Sequence, residues 1–323
     1  MLRVVEVDED SFSNWDSFIA SSPCGTIFHS SHWLRALKRA FQFDTRMLAV
    51  YSGDDIVGGC TLLSKKKRLF KMAIKPWATL YTGIIFSRDG EQIQEKIIDA
   101  LQHRLFEEYY YVQMLHPPGV TDIAPFVRRR WETSTRYTYI VDISDLDGLW
   151  LKMKSKARTS IRRGDRDKLT LRESVQWDTL FEIYKMVYEG QDLPFGVEAF
   201  QTLGSALHDS GMAKLFLTQD REGNVHYALL VGMDDKRAYT LLGGPHSHYR
   251  DKGGGSWCFW KIFEYLAGRY TEIDLVGVGT PGISSFKSKF SPRLVPFYET
   301  ERYAGFSRKL QLKAYHALKG RLG

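Results

Sequence analysis

The sequence predicts an α/β (α+β) protein with two similar halves, each a mixed, largely antiparallel sheet flanked by helices. The second half shows two helical patterns, three strand patterns, a glycine-rich turn, a helix and a last strand, in that order. The first half repeats a weaker version of this order, without a repeat of the residues themselves. Because 323 residues also suit two domains of ordinary size, we expect domains at 1–146 and 147–323.

The first half alternates strand patterns with amphipathic helices. Trp33, Leu37 and Phe41 recur at helical spacing after Ser31, a residue type that favours the start of a helix. Residues 52–55, Ser-Gly-Asp-Asp, favour a tight turn and therefore a hairpin. We predict strands at 2–7, 46–51, 56–63, 110–115 and 137–143, and helices at 10–20, 32–41 and 91–109.

The second half has the clearer pattern. Its glycine-rich turn opens an amphipathic helix at 256–267, with an apolar side of Trp257, Phe259, Trp260, Phe263 and Leu266. Two further helices are predicted at 177–189 and 198–208, and strands at 213–218, 225–233, 237–242 and 272–276.

The net charge of +7 is concentrated in one segment. Residues 152–172 hold nine basic and two acidic residues, so this segment accounts for the whole excess. A local cluster of this kind indicates a specific anionic partner more than a general affinity for polyanions.

Several classes of protein are excluded by residues that the sequence lacks. Cys24, Cys60 and Cys258 are too few and too widely spaced for a disulfide framework or a structural zinc site. His246 and His248 have no third ligand nearby, so we expect no metal. The first ten residues carry five charges, unlike a signal peptide, and the apolar run 76–86 is shorter than the ~20 residues of a membrane-spanning helix. We expect a soluble, cytoplasmic protein.

The sharpest motif is the glycine-rich turn at 250–256, Arg-Asp-Lys-Gly-Gly-Gly-Ser. It lies between a predicted strand and a predicted helix, where unpaired backbone N–H groups and the positive end of the helix dipole favour an anion. The turn therefore predicts a phosphate or diphosphate site. A flexible connection between the two elements is the alternative.

The same turn resembles the R/Q-x-x-G-x-G/A element of the GNAT acyltransferase superfamily. The resemblance implies two GNAT-like domains, with acyl-CoA (acetyl-CoA) held by the C-terminal domain. It assigns the diphosphate of the donor to Arg250, Gly253, Gly254, Gly255 and Ser256. It also places the arm of the donor along the exposed edge of the strand at 238–244, which includes Leu241 and Leu242.

A second resemblance is to the Fem-type aminoacyltransferases, which are tandem GNAT-like proteins. Residues 283–290, Ile-Ser-Ser-Phe-Lys-Ser-Lys-Phe, and the strand after them resemble the Phe-Lys-x-x-Phe element of that family. Residues 158–163 resemble its basic segment, and 28–34 its entry to the first-domain helix. The resemblance implies aminoacyl-tRNA as the other possible donor and a cell-envelope precursor as a possible acceptor.

Seven side chains are candidates for chemistry or binding. Lys287 either neutralises a phosphate or stabilises an oxyanion, with a solvated helix lysine as the alternative. Tyr298 is a candidate proton donor, and Asp274 is either a base or a buried hydrogen-bond acceptor. Phosphate binding is assigned to Arg158, Arg162 and Arg163, whose guanidinium groups can bind phosphates through two bonds. Phe286 is kept as a substrate-binding candidate, although its spacing of four from Phe290 favours the core.

The residues and the resemblances together predict an N-acyltransferase that acts on an amine. An α-amine has a pKa of about 7.7 to 8.0, so such an acceptor needs no strong base. The alternatives are a non-catalytic RNA-binding module, based on 65–71 and 152–172, and attachment to an anionic membrane through 152–163 and a basic helix at 308–321. No motif indicates DNA binding.

Overall fold

The fold is taken from a computed structural model of the chain. It describes residues 2–67, 70–75, 77–188, 193 and 195–305, without the side chains of 65–67 and 70. The helix predicted at 308–321 and residues 68–69 of the basic stretch at 65–71 lie outside the described residues.

Residues 2–142 form five α-helices, two short 3-10 helices and seven strands among the described residues. The helices are α1 (Phe12–Ser21), α2 (Ser31–Phe41), α3 (Arg88–Glu91), α4 (Gln94–Glu108) and α5 (Ala124–Arg128). The strands are β1 (Leu2–Glu6), β2 (Asp44–Ser52), β3 (Asp55–Lys67), β4 (Phe70–Ala73), β5 (Ile85–Phe86), β6 (Tyr111–Leu115) and β7 (Glu132–Asp142).

The second half contains the remaining elements of the described chain. Its helices are α6 (Leu146–Lys152), α7 (Ser155–Arg166), α8 (Trp177–Val187), α9 (Val197–Asp209), α10 (Gly254–Leu266) and α11 (Pro281–Lys287). Its strands are β8 (Thr170–Ser174), β9 (Ala213–Gln219), β10 (Val225–Met233), β11 (Ala238–Pro245), β12 (Glu272–Asp274) and β13 (Arg293–Tyr303). None of the described helices is both long and apolar enough to cross a membrane.

Internal contacts divide the chain into two compact units. The first consists of Met1–Lys38, Phe43–Arg136 and the residues from Pro296 onward. The second consists of Arg39–Gln42 and Tyr137–Val295. The domain boundary that the sequence suggests, between residues 146 and 147, stays a prediction.

The first unit is a sheet with strand order β1-β2-β3-β4-β6-β13, to which β5 adds by pairing with β3. The β4–β6 pair is parallel, and the other neighbours run antiparallel. Helix α4 buries the side chains of Ile97, Ile98, Leu101 and Leu105, because they recur at helical spacing on one face.

The second unit is a sheet with strand order β7-β12-β11-β10-β9-β8. Only the β11–β12 pair is parallel. Helix α10 is buried along most of its length, and α7 packs against it where Gly164 leaves room for the ring of Trp257. Both units therefore have the mixed, largely antiparallel sheet with helices that the sequence predicts, and the fold class is confirmed.

Some element bounds differ from the predictions. The helix predicted at 91–109 is interrupted, because Ser87 caps the short helix α3 before α4 begins at Gln94. The residues of β4 and β8 do not alternate clearly between apolar and polar, so the sequence does not predict these two strands. The strand predicted at 272–276 ends at Asp274, because Val276 and Gly277 have positive φ angles of 50° and 72°. This early end shapes the candidate site.

Candidate active site

The candidate site starts where two parallel strands separate. Strands β11 and β12 pair only through Ala238 with Ile273 and Tyr239 with Asp274. One residue further, the hydroxyl of Thr240 donates to the carbonyl of Leu275 over 2.7 Å, while the N–H of Leu275 already bonds to β7. Among the described residues, no strand continues the ladder along this edge of β11 beyond Thr240. An extended ligand can therefore pair with this edge.

The open edge contains a β-bulge at Leu241. Leu230 of β10 pairs with Leu242 and Val231 pairs with Thr240, so Leu241 is an extra residue in β11. Leu241 is half-buried and Leu242 is buried. The two leucines assigned to the donor arm thus lie at the irregular part of the strand.

The far side of the gap is a turn held by Lys287. Its ammonium donates to the carbonyl oxygens of Leu275, Val276 and Gly277, the last over 3.1 Å. These three bonds use all three N–H groups of the ammonium. Burial lowers the pKa of Lys287 to about 8, although the charge of Asp274 opposes this shift. Lys287 thus stabilises a turn whose backbone is strained at Val276.

Asp274 supports the same turn from inside the sheet. Its side chain is fully buried and accepts hydrogen bonds from the hydroxyl of Thr138 and from the N–H of Val276, the latter over 2.8 Å. Of the two roles left open for this carboxylate, the geometry favours the hydrogen-bond acceptor.

The glycine-rich turn opens α10 with unpaired amides. Gly253 precedes the helix with φ 85°, a left-handed conformation that favours glycine. Among the described residues, nothing accepts a hydrogen bond from the N–H groups of Gly254, Gly255 or Ser256. Arg250 is exposed beside this turn. The first turn of α10 can therefore bind an anion through its backbone.

Phe286 joins the glycine turn to the lysine-bearing helix. A Cβ atom at Gly255 would lie 2.8 Å from the ring of Tyr227 and 3.4 Å from the ring of Phe286. Phe286 also packs edge-on against Phe259, with ring centroids 5.2 Å apart. Phe286 is half-buried, so it belongs partly to the core and partly to the floor of the glycine turn.

The three arginines of α7 have different surroundings. The guanidinium of Arg158 donates to the carbonyls of Trp150, Leu151 and Met153 over 3.1, 3.0 and 2.7 Å, and so caps the end of α6. Arg162 lies over the Trp150 ring at 5.6 Å, and Arg163 pairs with Asp167 at 3.5 Å. Only Arg162 and Arg163 are exposed, and the phosphate-binding role of the three stays a prediction.

Tyr298 is the one catalytic candidate from the sequence that lies outside the second unit. It lies on β13 in the first unit, where its carbonyl accepts from the N–H of His116 over 2.8 Å. Lys287 and Asp274 belong to the second unit. Its role as a proton donor stays a prediction.

His226 is a site residue that the sequence did not indicate. Its Nε2 bonds to the carboxylate of Asp220 over 3.1 Å, and its ring stacks on Tyr249 at 4.0 Å. A Cβ atom at Gly254 would lie 3.6 Å from its Nδ1, so the ring is directly beneath the glycine turn. The only available signal was a single histidine in the otherwise apolar strand β10, a pattern common in ordinary cores.

The gap and the helix start lie at the same end of the sheet. Strand β11 leads from the gap into the glycine turn, and β12, parallel to it, ends beside the gap. An extended molecule with a diphosphate at one end fits this arrangement. The described residues contain no group of three or more histidine, cysteine or acidic side chains that could hold a metal ion.

Comparisons with known proteins agree with this geometry. Residues 152–288 match the model of the acetyltransferase (GNAT) domain. No curated protein matches the chain. The match includes the gap, the glycine turn and Lys287.

Solved structures share the fold over nearly the whole chain. The crystal structure of FemX has a TM-score of 0.73 and 15% identity, and the similarity covers 91% of this chain and 96% of that one. A tandem GNAT protein from the clavulanic acid biosynthesis pathway has a TM-score of 0.55 and 10% identity, covering 95% and 99%. The C-terminal domain of a putative lysylphosphatidylglycerol synthetase from Agrobacterium fabrum has a TM-score of 0.57 and 13% identity, covering 96% of each chain.

Residues 152–288 therefore form an acetyltransferase (GNAT) domain, and the protein is an acyltransferase. The chain as a whole shares its fold with FemX and with a tandem GNAT protein. The resemblance to the GNAT superfamily is confirmed by this domain.

Proposed function

We propose that the protein is an N-acyltransferase that uses acyl-CoA as donor and binds it in the second unit. One observation carries the proposal: β11 and β12 separate after two residue pairs, at the end of the sheet where α10 begins with free amides. The arm of the donor adds to the edge of β11 at Leu241, and its diphosphate accepts hydrogen bonds from Gly254, Gly255 and Ser256.

The chemistry is attack of an amine nitrogen on the acyl carbonyl carbon. The new C–N bond forms, the C–S bond of the thioester breaks, and the thiolate leaves while the amine loses a proton. Orientation of the two substrates supplies most of the rate, because an α-amine is partly neutral near pH 7.5. Lys287 and Asp274 act by holding the Leu275–Gly277 turn. Tyr298 keeps its expected role as a candidate proton donor.

We propose a cell-envelope precursor or a lipid-linked amine as the acceptor class. Support comes from the resemblance to Fem-type enzymes and from the fold shared with a putative lysylphosphatidylglycerol synthetase. Cys24, Cys60 and Cys258 are free thiols, and we propose a cytoplasmic location, where thiols stay reduced.

Aminoacyl-tRNA is the second candidate donor, supported by a basic surface on α7 and its neighbours. Burial and the nearby charges of Lys156 and Lys154 lower the pKa of Lys289, which indicates crowding of like charges. Arg162 and Arg166 of α7 are exposed as well. The phosphate groups of an RNA backbone would neutralise such a cluster of positive charges, which favours binding.

Transfer assays with each donor decide between these possibilities. The protein is incubated with labelled acetyl-CoA or with charged tRNA, each with a mixture of amine acceptors. We expect label transfer from acetyl-CoA. Transfer from charged tRNA alone would replace the acyl-CoA proposal, and transfer from neither would contradict both.

A charge placed at the start of α10 tests the donor site. Ser256→Asp puts a carboxylate in the first helical turn, where it suits the helix dipole but repels a diphosphate. We expect CoA affinity to fall at least about tenfold, a loss of about 1.4 kcal/mol. Ser256→Ala is the matched control and should keep CoA affinity within about threefold. Equal affinities for the two variants would contradict the placement.

A further inference from the structure

Three lysines come together at the start of α7 and form what we call the lysine cluster. Lys154 directly precedes α7, Lys156 lies in its first turn, and Lys289 lies in the short 3-10 helix after α11. The N–H of Lys154 donates to the carbonyl of Lys289 over 3.0 Å, which joins the two segments. Among the described residues, no carboxylate forms an ion pair with any of the three.

The positive charges of the lysine cluster are close enough to repel one another. Burial, followed by the charges of Lys156 and Lys154, lowers the pKa of Lys289. The Nζ of Lys154 donates to the hydroxyl of Ser288 over 3.3 Å, so this side chain extends toward Lys289. Lys154 and Lys156 are exposed, and Lys289 is half-buried. An anion bound among them would remove the repulsion.

Helix α7 runs beside α10 in the same direction. A Cβ atom at Gly253 would lie 3.1 Å from the carbonyl oxygen of Ser160. Further along both helices, a Cβ atom at Gly164 would lie 2.4 Å from the ring of Trp257. Because residue 160 is next to 253 and residue 164 is next to 257, the two helices are parallel neighbours.

The start of α7 therefore extends beyond the start of α10. Helix α10 begins directly after Gly253, whereas α7 begins at Ser155, more than one turn before Ser160. The hydroxyl of Ser160 donates to the carbonyl of Lys156 over 3.0 Å, so Lys156 lies one turn, about 6 Å, before the level of Gly253. The free amides of α10 point in this direction. The lysine cluster thus lies beyond the proposed diphosphate position.

Lys289 approaches the glycine turn from a second element. Its Nζ lies 5.4 Å from the centroid of the Phe286 ring. The same ring lies 3.4 Å from the position of a Cβ atom at Gly255. The glycine turn therefore has lysines on two neighbouring segments, at the start of α7 and after α11.

We propose that the lysine cluster is a second phosphate subsite, which binds the 3′-phosphate of CoA; the inference rests on the proposed acyl-CoA site. In CoA this phosphate is one ribose away from the diphosphate, and one helical turn separates Lys156 from the level of Gly253. A phosphate monoester carries about two negative charges near neutral pH, so it can offset most of the charge of three lysines. The cluster therefore selects CoA over dephospho-CoA.

The phosphates of an RNA backbone have a similar chemistry, and the same lysines belong to the basic surface that supports aminoacyl-tRNA as a donor. The position of the cluster favours the 3′-phosphate of CoA, because its three lysines lie around one point beyond the glycine turn. A backbone of RNA would instead engage charges spread along the whole of α7.

Isothermal titration compares CoA with dephospho-CoA, which lacks only the 3′-phosphate. Both dissociation constants are measured with the wild-type protein at pH 7.5 and at one low salt concentration. We expect CoA to bind at least about tenfold more tightly than dephospho-CoA, with a preference that decreases as salt is added. Equal dissociation constants for the two ligands would overturn the inference.

Variants assign the preference to the lysine cluster. Lys156→Gln and Lys154→Gln should each reduce the preference for CoA at least about threefold, while the affinity for dephospho-CoA changes less than about twofold. Lys168→Gln is the matched control, because it removes the same charge from an exposed lysine just after the other end of α7. This control should keep the preference of the wild type. An unchanged preference in both cluster variants would contradict the assignment.

The outcomes distinguish this inference from the proposed function. If CoA and dephospho-CoA bind equally well, the 3′-phosphate subsite is wrong and the donor site stands. If the cluster variants lose affinity for uncharged tRNA in a filter-binding assay but keep the preference for CoA, the cluster binds RNA and the inference is also wrong. If the wild type binds neither CoA nor dephospho-CoA, the acyl-CoA proposal fails, and the inference fails with it.

Discussion

The ammonium of Lys287 donates a hydrogen bond to the carbonyl oxygen of Gly277 over 3.1 Å. Its other two N–H groups bond to the two preceding carbonyls, so one side chain holds three consecutive peptide groups. This turn follows directly where β12 and its pairing with β11 end, so we expect Lys287 to influence the gap between the strands. The lysine acts on the site through the backbone it holds.

Removal of Lys287 should therefore change activity more than stability. Lys287→Met is expected to lower kcat/KM at least about tenfold, while Tm falls only modestly, because three carbonyls lose their donor but the desolvation cost of the ammonium is also removed. In the wild type, kcat/KM calculated per neutral acceptor amine should fall as the pH rises through about 8, where Lys287 loses a proton and one carbonyl loses its partner. A pH series of acyl transfer from 6 to 10 measures both effects.

The control for this series is Lys289→Met, a neighbouring half-buried lysine without bonds to the turn. The pH profile of kcat/KM of this variant should keep the inflection near pH 8. Lys287→Arg should lose the inflection, because the guanidinium stays charged. A wild-type profile that is flat from pH 7 to 9 would contradict the role of the ammonium.

Arg158 should matter for stability, because its guanidinium caps α6 through three carbonyls. Arg158→Ala is expected to lower the free energy of unfolding by about 1 to 2 kcal/mol, since these bonds and the favourable contact with the helix end are lost. Chemical denaturation measures the change. Arg166→Ala, an exposed arginine of α7, should change it by less than about 0.5 kcal/mol. If Arg158→Ala and Arg166→Ala changed the free energy of unfolding equally, the cap on α6 would contribute nothing to stability.

Gly164 is required for the packing of α7 on α10. A Cβ atom at this position would lie 2.4 Å from the Trp257 ring. Gly164→Ala should destabilise the second unit by about 1 to 3 kcal/mol, although alanine is the better helix former. Gly282→Ala in α11 is the control, because its Cβ meets nothing within 4 Å and should be neutral or stabilising. Thermal denaturation compares them, and a stabilised Gly164→Ala would contradict the close packing.

His116 should make the first unit sensitive to acid. It is fully buried, its Nδ1 accepts from the N–H of Ile84 over 3.2 Å, and burial, followed by the effect of His29, lowers its pKa to about 3. The unfolded chain binds more protons between this value and about 6.5, so stability is lost as the pH falls below 6.5. The loss should reach a few kcal/mol.

Acid denaturation followed by circular dichroism checks this dependence. His116→Gln should be less stable at neutral pH but should lose less stability between pH 6.5 and 4. His103→Gln, whose side chain is 83% exposed, should follow the wild type. A His116→Gln curve parallel to that of the wild type would contradict the assignment.

The sequence by itself determined the order of elements and the fold class, and it predicts an anion site at the glycine turn. These properties depend on local features: the spacing of apolar residues, the conformational freedom of Gly253 and the amides at the start of a helix. The element around Lys287 was also found through its resemblance to a known family.

Only the tertiary structure decided what the charged side chains contact. Arg158 is of a residue type that binds phosphates, but its guanidinium caps a helix end. Lys287 binds backbone carbonyls, and His226 of an apolar strand lies beneath the glycine turn. The contacts of Arg158 and His226 lie on other elements of the fold. The carbonyls bound by Lys287 follow β12, a strand that ends earlier than its residues suggest. A side chain's partners depend on such long-range contacts, which the local pattern of residues does not contain.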